Sequence, residues 1–189
     1  MRVIAGAAGG IQLDVPKSGV RPTMDRVKGA IFSSLGEEII GARVLDLFAG
    51  TGALGIEALS RGAASALFVE ENSSAVAAIE RNLARTKLEG RVRKQDVFAF
   101  LGSAPTPQPF RIIFADPPYE KTKSGGEFTQ LLLESTKLAG MLEPFGIFVL
   151  EKRPAEKMPP TALWDVNRAK KYGATEVLFL QRSSHSERM

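Results

Sequence analysis

The stretch Arg43 to Arg61 reads RVLDLFAGTGALGIEALSR. Val44, Leu45, Leu47 and Phe48 form a short apolar run with the length and bulk of a buried strand, and Ala53 to Arg61 carries apolar residues at helical spacing. Between them, Gly50-Thr51-Gly52 makes a turn without side-chain bulk. A strand, a glycine turn and a helix in that order open a nucleotide-binding βαβ unit, because the glycines let a ligand approach the backbone and the helix N-terminus beyond it. An α/β fold is the expectation.

Taken literally, Gly50 to Gly55 satisfies the dinucleotide pattern G-x-G-x-x-G. Asp46 argues against NAD or FAD, because a carboxylate at the strand's C-terminal end repels a pyrophosphate, the more so when desolvated. S-adenosylmethionine carries an ammonium and a sulfonium and no phosphate, so a carboxylate beside the turn suits it. The stretch therefore reads as a methyl-donor site, against the alternative of a glycine turn closing an ordinary α/β unit. Glu70 supports the first reading. It ends a second strand, Ala66 to Glu70, about twenty residues past the turn, the spacing at which a carboxylate accepts ribose hydroxyls. Ser73 is expected to cap a helix running through Thr86, with Val76, Ile79 and Leu83 at helical spacing. Asp96, closing a weaker third strand Arg91 to Gln95, is placed to reach an adenine amino group, with a purely structural role as the alternative.

Composition narrows the field. A chain of 189 residues suits one sizeable domain with a small appendage. The expected division is an N-terminal hairpin and helix over 1–40, the main domain over 41–182 and a polar tail over 183–189. Cysteine is absent, which excludes disulfides, thiolate metal sites and a cysteine nucleophile. The single histidine, His185, falls in the tail, so neither a histidine triad nor a metal site is expected. No apolar run approaches the ~20 residues that span a bilayer, and a cytoplasmic monomer is expected. Lys and Arg total 25 against 21 Asp and Glu, a net +4, with a pI near 9.5. That excess is compatible with a polyanionic partner without demanding one. Basic residues cluster at Arg85, Lys87, Arg91, Arg93 and Lys94, and again at Lys152, Arg153, Lys157, Arg168, Lys170 and Lys171. Either cluster is a solvated face or a nucleic-acid contact.

Ahead of the main domain, Arg2 to Ile4 and Ile11 to Val15 read as two short strands joined through Gly6 to Gly10. Pro16 to Pro22 is a loop. Thr23 then reads as the N-cap of a helix with Met24, Val27, Ile31, Phe32 and Leu35 on its apolar face, ending at Gly36. Arg21, Arg26 and Lys28 stand at its start, where cations oppose the helix dipole, so they either serve a bound anion or are simply solvated.

Further along, the buried strand Arg111 to Ala115 runs into Asp116-Pro117-Pro118-Tyr119. Alternating strands and helices make a doubly wound parallel sheet that binds ligands at its strands' C-terminal ends, so the ends of the first and fourth strands are expected to flank one crevice. A nucleobase amine is a poor nucleophile because its lone pair is delocalised into the ring. A catalyst must hold it in line with the methyl group and accept its hydrogens. The Asp116 carboxylate and the Pro117 carbonyl offer two acceptors, the prolines stiffen the turn, and Tyr119 offers a face on which a base stacks. As an isolated tetrapeptide this is equally a stiff turn. Lys123 to Gly126 reads as a loop beside the site, Glu127 to Ala139 as a helix, and Ile147 to Leu150 as a fifth strand after a turn at Pro144 to Gly146. Leu163 to Val166 and Thr175 to Gln181 read as closing strands around Tyr172-Gly173.

These residues resemble the class I S-adenosylmethionine-dependent methyltransferases with an Asp/Asn-Pro-Pro-aromatic signature. The order RPTMDRVKGAIFSSL, LDLFAGTGALGIEALSRGA, FVE, FADPPY and KKYGAT is similar, from Arg2 to Leu180, to the bacterial family of small-subunit ribosomal RNA guanine-N(2)-methyltransferases. The resemblance implies a Rossmann-like, mostly parallel seven-stranded sheet with helices on both faces and an N-terminal β-hairpin extension. It implies S-adenosylmethionine as cofactor, small-subunit ribosomal RNA as partner and a guanine 2-amino group as acceptor. Donor contacts are then expected at Asp46, Phe48, Gly50, Gly52, Glu70, Asp96 and Asp116. Catalysis is expected at Asp116, Pro117, Pro118 and Tyr119, and substrate contact at Arg21, Thr23, Arg26 and Tyr119. One feature departs from the family: relatives commonly carry basic and aromatic residues in the N-terminal Gly-rich segment, whereas Gly6 to Gly10 is GAAGG. Alternative readings are an amino-methyltransferase acting on DNA adenine or a protein glutamine, a non-catalytic RNA-binding assembly factor on the same fold, and, more distantly, a nicotinamide dehydrogenase.

Overall fold

A computed structural model describes residues 1–16, 25–103, 108–118, 127–156 and 158–184. Thr23, Met24, Lys123 to Gly126 and His185 lie outside them. Seven strands form one sheet in the order β3-β2-β1-β4-β5-β7-β6, with β1 Arg43–Leu47, β2 Ser65–Glu70, β3 Arg91–Lys94, β4 Phe110–Ala115, β5 Leu142–Lys152, β6 Trp164–Tyr172 and β7 Thr175–Arg182. Strands β1 and β2, β2 and β3, and β4 and β5 pair in parallel, while β7 runs antiparallel to β5 and to β6. This is the mixed, mostly parallel, seven-stranded α/β sheet expected. The chain divides into two compact units, Met1–Phe100 and Leu101–Met189.

In the first unit, Val44 to Leu47 of β1 are all buried, so the strand is covered on both faces and these residues, Asp46 apart, are apolar without alternation. Helix α2, Ala53–Ser60, is buried at all eight positions, so its residues need no polar face. Helix α3, Ser73–Thr86, has its cap one residue earlier than expected: Asn72 Oδ1 accepts from the N–H groups of Ser74 and Ala75. Helix α1 spans Asp25–Leu35 and buries Val27, Ile31, Phe32 and Leu35 as its spacing requires, and a short 3-10 turn, Gly36–Ile39, follows it.

Lys28 overturns an expectation. It is fully buried on α1, with Nζ 3.1 Å from Glu57 Oε2 and donating to the Arg2 carbonyl at 2.5 Å. It is therefore no anion contact. Glu57, equally buried on α2, also meets Arg61 Nε at 2.7 Å and accepts the backbone N–H groups of Ile4 and Ala5 at 2.7 and 3.1 Å. Burial pulls Lys28 below the ordinary lysine value of 10.5, and the Glu57 charge opposes that shift.

These contacts also explain the N-terminal segment. The two expected strands reduce to a single bridge between Arg2 and Gln12, flanked by hydrogen bonds from Val3 N–H to Ile11 O and from Gly10 N–H to Val3 O. The intervening backbone turns to α2 instead: Ala7 N–H donates to Ser60 O at 2.7 Å and Ala8 N–H to Ser60 Oγ at 2.9 Å. Within GAAGG it is Gly6 and the buried Ala8 that pack closely on the end of α2, while Ala7, Gly9 and Gly10 are exposed. Gly6 sits at φ +84°, and a Cβ on it would lie 1.8 Å from Ser60 O. Gly6→Ala is expected to cost about 2–3 kcal/mol, from the left-handed backbone plus overpacking, read as a lower denaturation midpoint at unchanged slope.

In the second unit the expected helix over Glu127 to Ala139 is two helices, α5 Glu127–Glu134 and α6 Thr136–Met141. Ser135 separates them because its ψ of 103° is extended and its Oγ caps α6 at Leu138 N–H. Strand β5 begins earlier than expected. Leu142 pairs with Phe110 and Ile147 with Ile112, so the expected turn at Pro144 to Gly146 is an irregularity inside the strand, with Phe145 at φ 61°. Strand β6 outruns its apolar start because it is an edge: Asp165 to Ala169 and Lys171 are exposed, and lysines on an edge discourage further pairing. Lys152 leaves the basic surface, being buried with its Nζ 2.8 Å from Glu176 Oε2.

Candidate functional site

Strand β1 delivers Asp46, and the chain then turns sharply, with Phe48, Gly50 and Gly52 at φ 54°, 56° and 76°. Glycine occupies this region freely, whereas Phe48 does so at a cost of roughly 1–2 kcal/mol. Hydrogen bonds hold the turn in that shape. Ala49 N–H donates to Val69 O at 3.1 Å, Gly50 N–H to Glu70 Oε2 at 2.8 Å and Gly52 N–H to Ala49 O at 2.7 Å. The Asp46 carboxylate, 2% exposed, accepts Gly55 N–H at 2.9 Å in the first turn of α2. Gly55 has no room for a side chain, since a Cβ would stand 2.3 Å from the Phe68 ring of β2. The third glycine of the pattern is thus a helix-packing residue.

Glu70 is held at both oxygens, Oε2 by Gly50 and Oε1 by Asn72 N–H at 2.8 Å. Backbone donors therefore set its rotamer before any ligand arrives, and each oxygen has a further lone pair for a hydroxyl. Asp96 is exposed and caps helix α4, Val97–Gly102, through Ala99 N–H at 2.8 Å, so the structural role weighed for it is real. Phe48 meets Phe98 of α4 edge-on, with ring centroids 6.0 Å apart.

Two residues near the turn escaped the sequence reading. Phe98 follows Asp96 in a helix too short to show a period. Asn82 is fully buried on α3 and donates to Thr51 O at 3.0 Å; its signal was a polar residue among Ile79, Leu83 and Thr86 on the apolar face.

In the second unit, Asp116-Pro117-Pro118 follow directly on β4, whose Ile112 to Ala115 are buried. Asp116 is half-buried, Pro117 buried and Pro118 exposed. Ala115 pairs with Leu150 of β5, and the next residue on that strand, Glu151, is a buried carboxylate that was also not singled out. Its signal was an acid closing the run IFVLE. Tyr119, Arg21 and Thr23 lie outside the described residues, and Arg26 is exposed on α1. The structure thus brings Asp46, Phe48, Gly50, Gly52 and Glu70 together around one turn, with Asp96 heading the helix that carries Phe98. Asp116 belongs to the other unit. Among the described residues no group of three or more His, Cys, Asp or Glu could hold a metal ion, and no helix is long and apolar enough to cross a membrane.

The family model described as conserved hypothetical protein 95 matches residues 1–181. The chain is 36% identical over 190 residues to the Ribosomal RNA small subunit methyltransferase D of Escherichia coli, covering 99% of this chain and 92% of that one. A solved Thermus thermophilus hypothetical protein superposes with a TM-score of 0.80 at 32% identity, over 96% of this chain and 99% of the other. A Thermus thermophilus structure described as a 16S rRNA N2 methyltransferase (RsmC) in complex with AdoMet and guanosine superposes at 0.69 with 25% identity, over 88% of this chain and 44% of that one.

Proposed function

This chain belongs to the conserved hypothetical protein 95 family, and we propose that it transfers a methyl group from S-adenosylmethionine to the exocyclic 2-amino group of a guanine in small-subunit ribosomal RNA. The observation that carries the donor half is the Glu70 carboxylate, fixed 2.8 Å from the Gly50 N–H at the end of β2. So placed, it accepts the two ribose hydroxyls of an adenosine. The buried Asp46 adds negative charge beside the turn, which favours the sulfonium and ammonium and disfavours a phosphate. Phe48, Gly50 and Gly52 form the turn against which the donor lies, and Asp96 accepts from the adenine amino group.

For the acceptor half, the Asp116 carboxylate and Pro117 carbonyl accept the two amine hydrogens, turning the nitrogen lone pair toward the methyl group. Tyr119 stacks the base, and Arg21, Thr23 and Arg26 contact the RNA. The C–N bond forms as the S–CH3 bond breaks, S-adenosylhomocysteine departs neutral at sulfur, and the surplus amine proton passes to Asp116 and on to water. The relatives' names support ribosomal RNA over DNA or protein. We take the enzyme to act as a monomer, on RNA or on an assembling subunit.

The test is transfer of labelled methyl from S-adenosylmethionine to undermodified small subunits and to RNA stripped from them, followed by nucleoside digestion. Recovery of 2-methylguanosine is expected. Label in another nucleoside, or none despite donor binding, overturns the acceptor assignment.

A further inference from the structure

One buried side chain joins the N-terminal segment to the glycine turn. Asn82 Nδ2 donates to Thr51 O at 3.0 Å and to Asp14 O at 3.1 Å, and Oδ1 accepts Asp14 N–H at 2.7 Å. The amide orientation follows from its partners, since a backbone N–H can only donate and a carbonyl only accept. Both N–H donors are thereby used, and the side chain pairs with Asp14 as a second strand would.

The Thr51–Gly52 peptide is consequently held at both ends. Its carbonyl meets Asn82, and its N–H, that of Gly52, donates to Ala49 O at 2.7 Å. This is the peptide that leads into the left-handed Gly52 and the start of α2, and a rotation there would re-aim the turn. Helix α3 grips the same N-terminal residues beside Asn82: Arg81 Nε and Arg85 Nη2 meet the Asp14 carboxylate at 3.1 and 2.9 Å, and Arg85 Nη1 donates to Gln12 O at 3.2 Å. The hydrogen bond from Arg81 and the two guanidinium charges hold the Asp14 carboxyl below its ordinary 3.8, so this grip persists through neutral and mildly acid pH.

We propose that Asn82 is a positioning residue of the donor site, and that Asp14 supports it: its backbone N–H and carbonyl hold Asn82, and Asn82 holds the Thr51–Gly52 peptide in the orientation that receives S-adenosylmethionine. This rests on the donor reading above. The N-terminal segment is then part of the donor site, whatever it does toward RNA, and by linkage anything that displaces Asp14 changes donor affinity while donor binding steadies Asp14.

The experiment titrates the full chain with S-adenosylmethionine by calorimetry, as wild type, Asn82→Ala, Asn82→Asp and Thr86→Ala, each well below its melting temperature. Asn82→Asp keeps size and one acceptor but sets an oxygen against the Thr51 and Asp14 carbonyls. Thr86→Ala removes a buried hydroxyl on the same helix that bonds only to the Asn82 and Leu83 carbonyls, so it costs stability without touching the turn. Both Asn82 variants are expected to bind about tenfold more weakly or worse, with the donor KM raised in step and kcat at saturating donor within about threefold of wild type. Thr86→Ala is expected to match wild-type affinity. Asn82 variants binding within about twofold of wild type, or Thr86→Ala losing as much as they do, overturn the inference. If both Asn82 variants fail to fold, Asp14→Pro, which removes the N–H that Oδ1 receives, is titrated instead: about tenfold weakening supports the inference and unchanged affinity overturns it. A wild-type chain that binds no donor refutes the donor reading itself, and this inference with it.

Discussion

Asp116→Ala is expected to lower kcat for methyl transfer by about 10²–10⁴-fold while leaving S-adenosylmethionine affinity within about threefold of wild type. The residue stands half-buried immediately past a strand whose last four residues are buried, and two prolines follow it, so its position is set by the sheet on one side and by fixed φ angles on the other. Its carboxylate is an acceptor for an amine hydrogen only while the lone pair is being turned toward the methyl group, an interaction stronger in the transition state than in the ground state. Loss of such a contact appears in kcat more than in binding. Asp116→Asn retains a carbonyl acceptor without the charge and should fall between alanine and wild type. Single-turnover transfer of labelled methyl to stripped small-subunit RNA, beside calorimetric donor binding, separates the two quantities. Alanine at wild-type rates would remove Asp116 from the chemistry.

Glu57→Ala is expected to destabilise the protein by about 3–5 kcal/mol, the cost of leaving a buried charge without its partner. Glu57 and Lys28 are both fully buried and 3.1 Å apart. The substitution strands the Lys28 ammonium, frees Arg61, and orphans the N–H groups of Ile4 and Ala5 that fasten the N-terminal segment to α2. Replacing both charges, as Lys28→Met with Glu57→Gln, should recover much of the loss, because Gln still accepts a backbone N–H and neither of the two fully buried positions then carries a charge. The midpoint of urea unfolding at constant slope measures each variant; a Glu57→Ala midpoint equal to wild type would show that the network does not hold the segment. Lys28 also leaves a pH signature. Its folded value lies below 10.5 because burial outweighs the Glu57 attraction, so between that lowered value and 10.5 the unfolded chain binds the extra proton. Its contribution therefore makes stability rise with pH across that window.

The contrast between these two residues shows what was readable. Asp116 was visible in the chain because a buried strand, a carboxylate and two prolines are consecutive, and the conformation they impose is local. Lys28 was half visible. It lies at i, i+3, i+4 and i+7 with Ile31, Phe32 and Leu35, on the face that must be buried, yet charge alone made it look like a solvent or anion contact. Asn82 is the same case on α3, on one stripe with Ile79, Leu83 and Thr86. In both, helical period foretold burial, and nothing nearby in sequence named the partner that makes burial tolerable. The division of α5 from α6 was missed for a smaller reason: Ser135 competes with the helix by capping the next one, and its neighbours continue the apolar period across the break.

The sequence by itself determined the α/β class, the position of the glycine turn after β1, the carboxylate that ends β2 and the Asp-Pro-Pro that follows β4. Each depends on side-chain periodicity or backbone restriction acting within about ten residues. Only the tertiary structure decided that Glu57 gathers Lys28 and two N-terminal amides, that Gly6 to Ala8 pack on the end of α2, and that Asn82 ties Asp14 to Thr51. Those are pairings of buried polar groups across 26 to 68 positions of chain, as the separations of Lys28 from Arg2 and of Asn82 from Asp14 show. A buried donor or acceptor must find a partner wherever the folded chain supplies one, and that choice is made by packing, after the local elements exist.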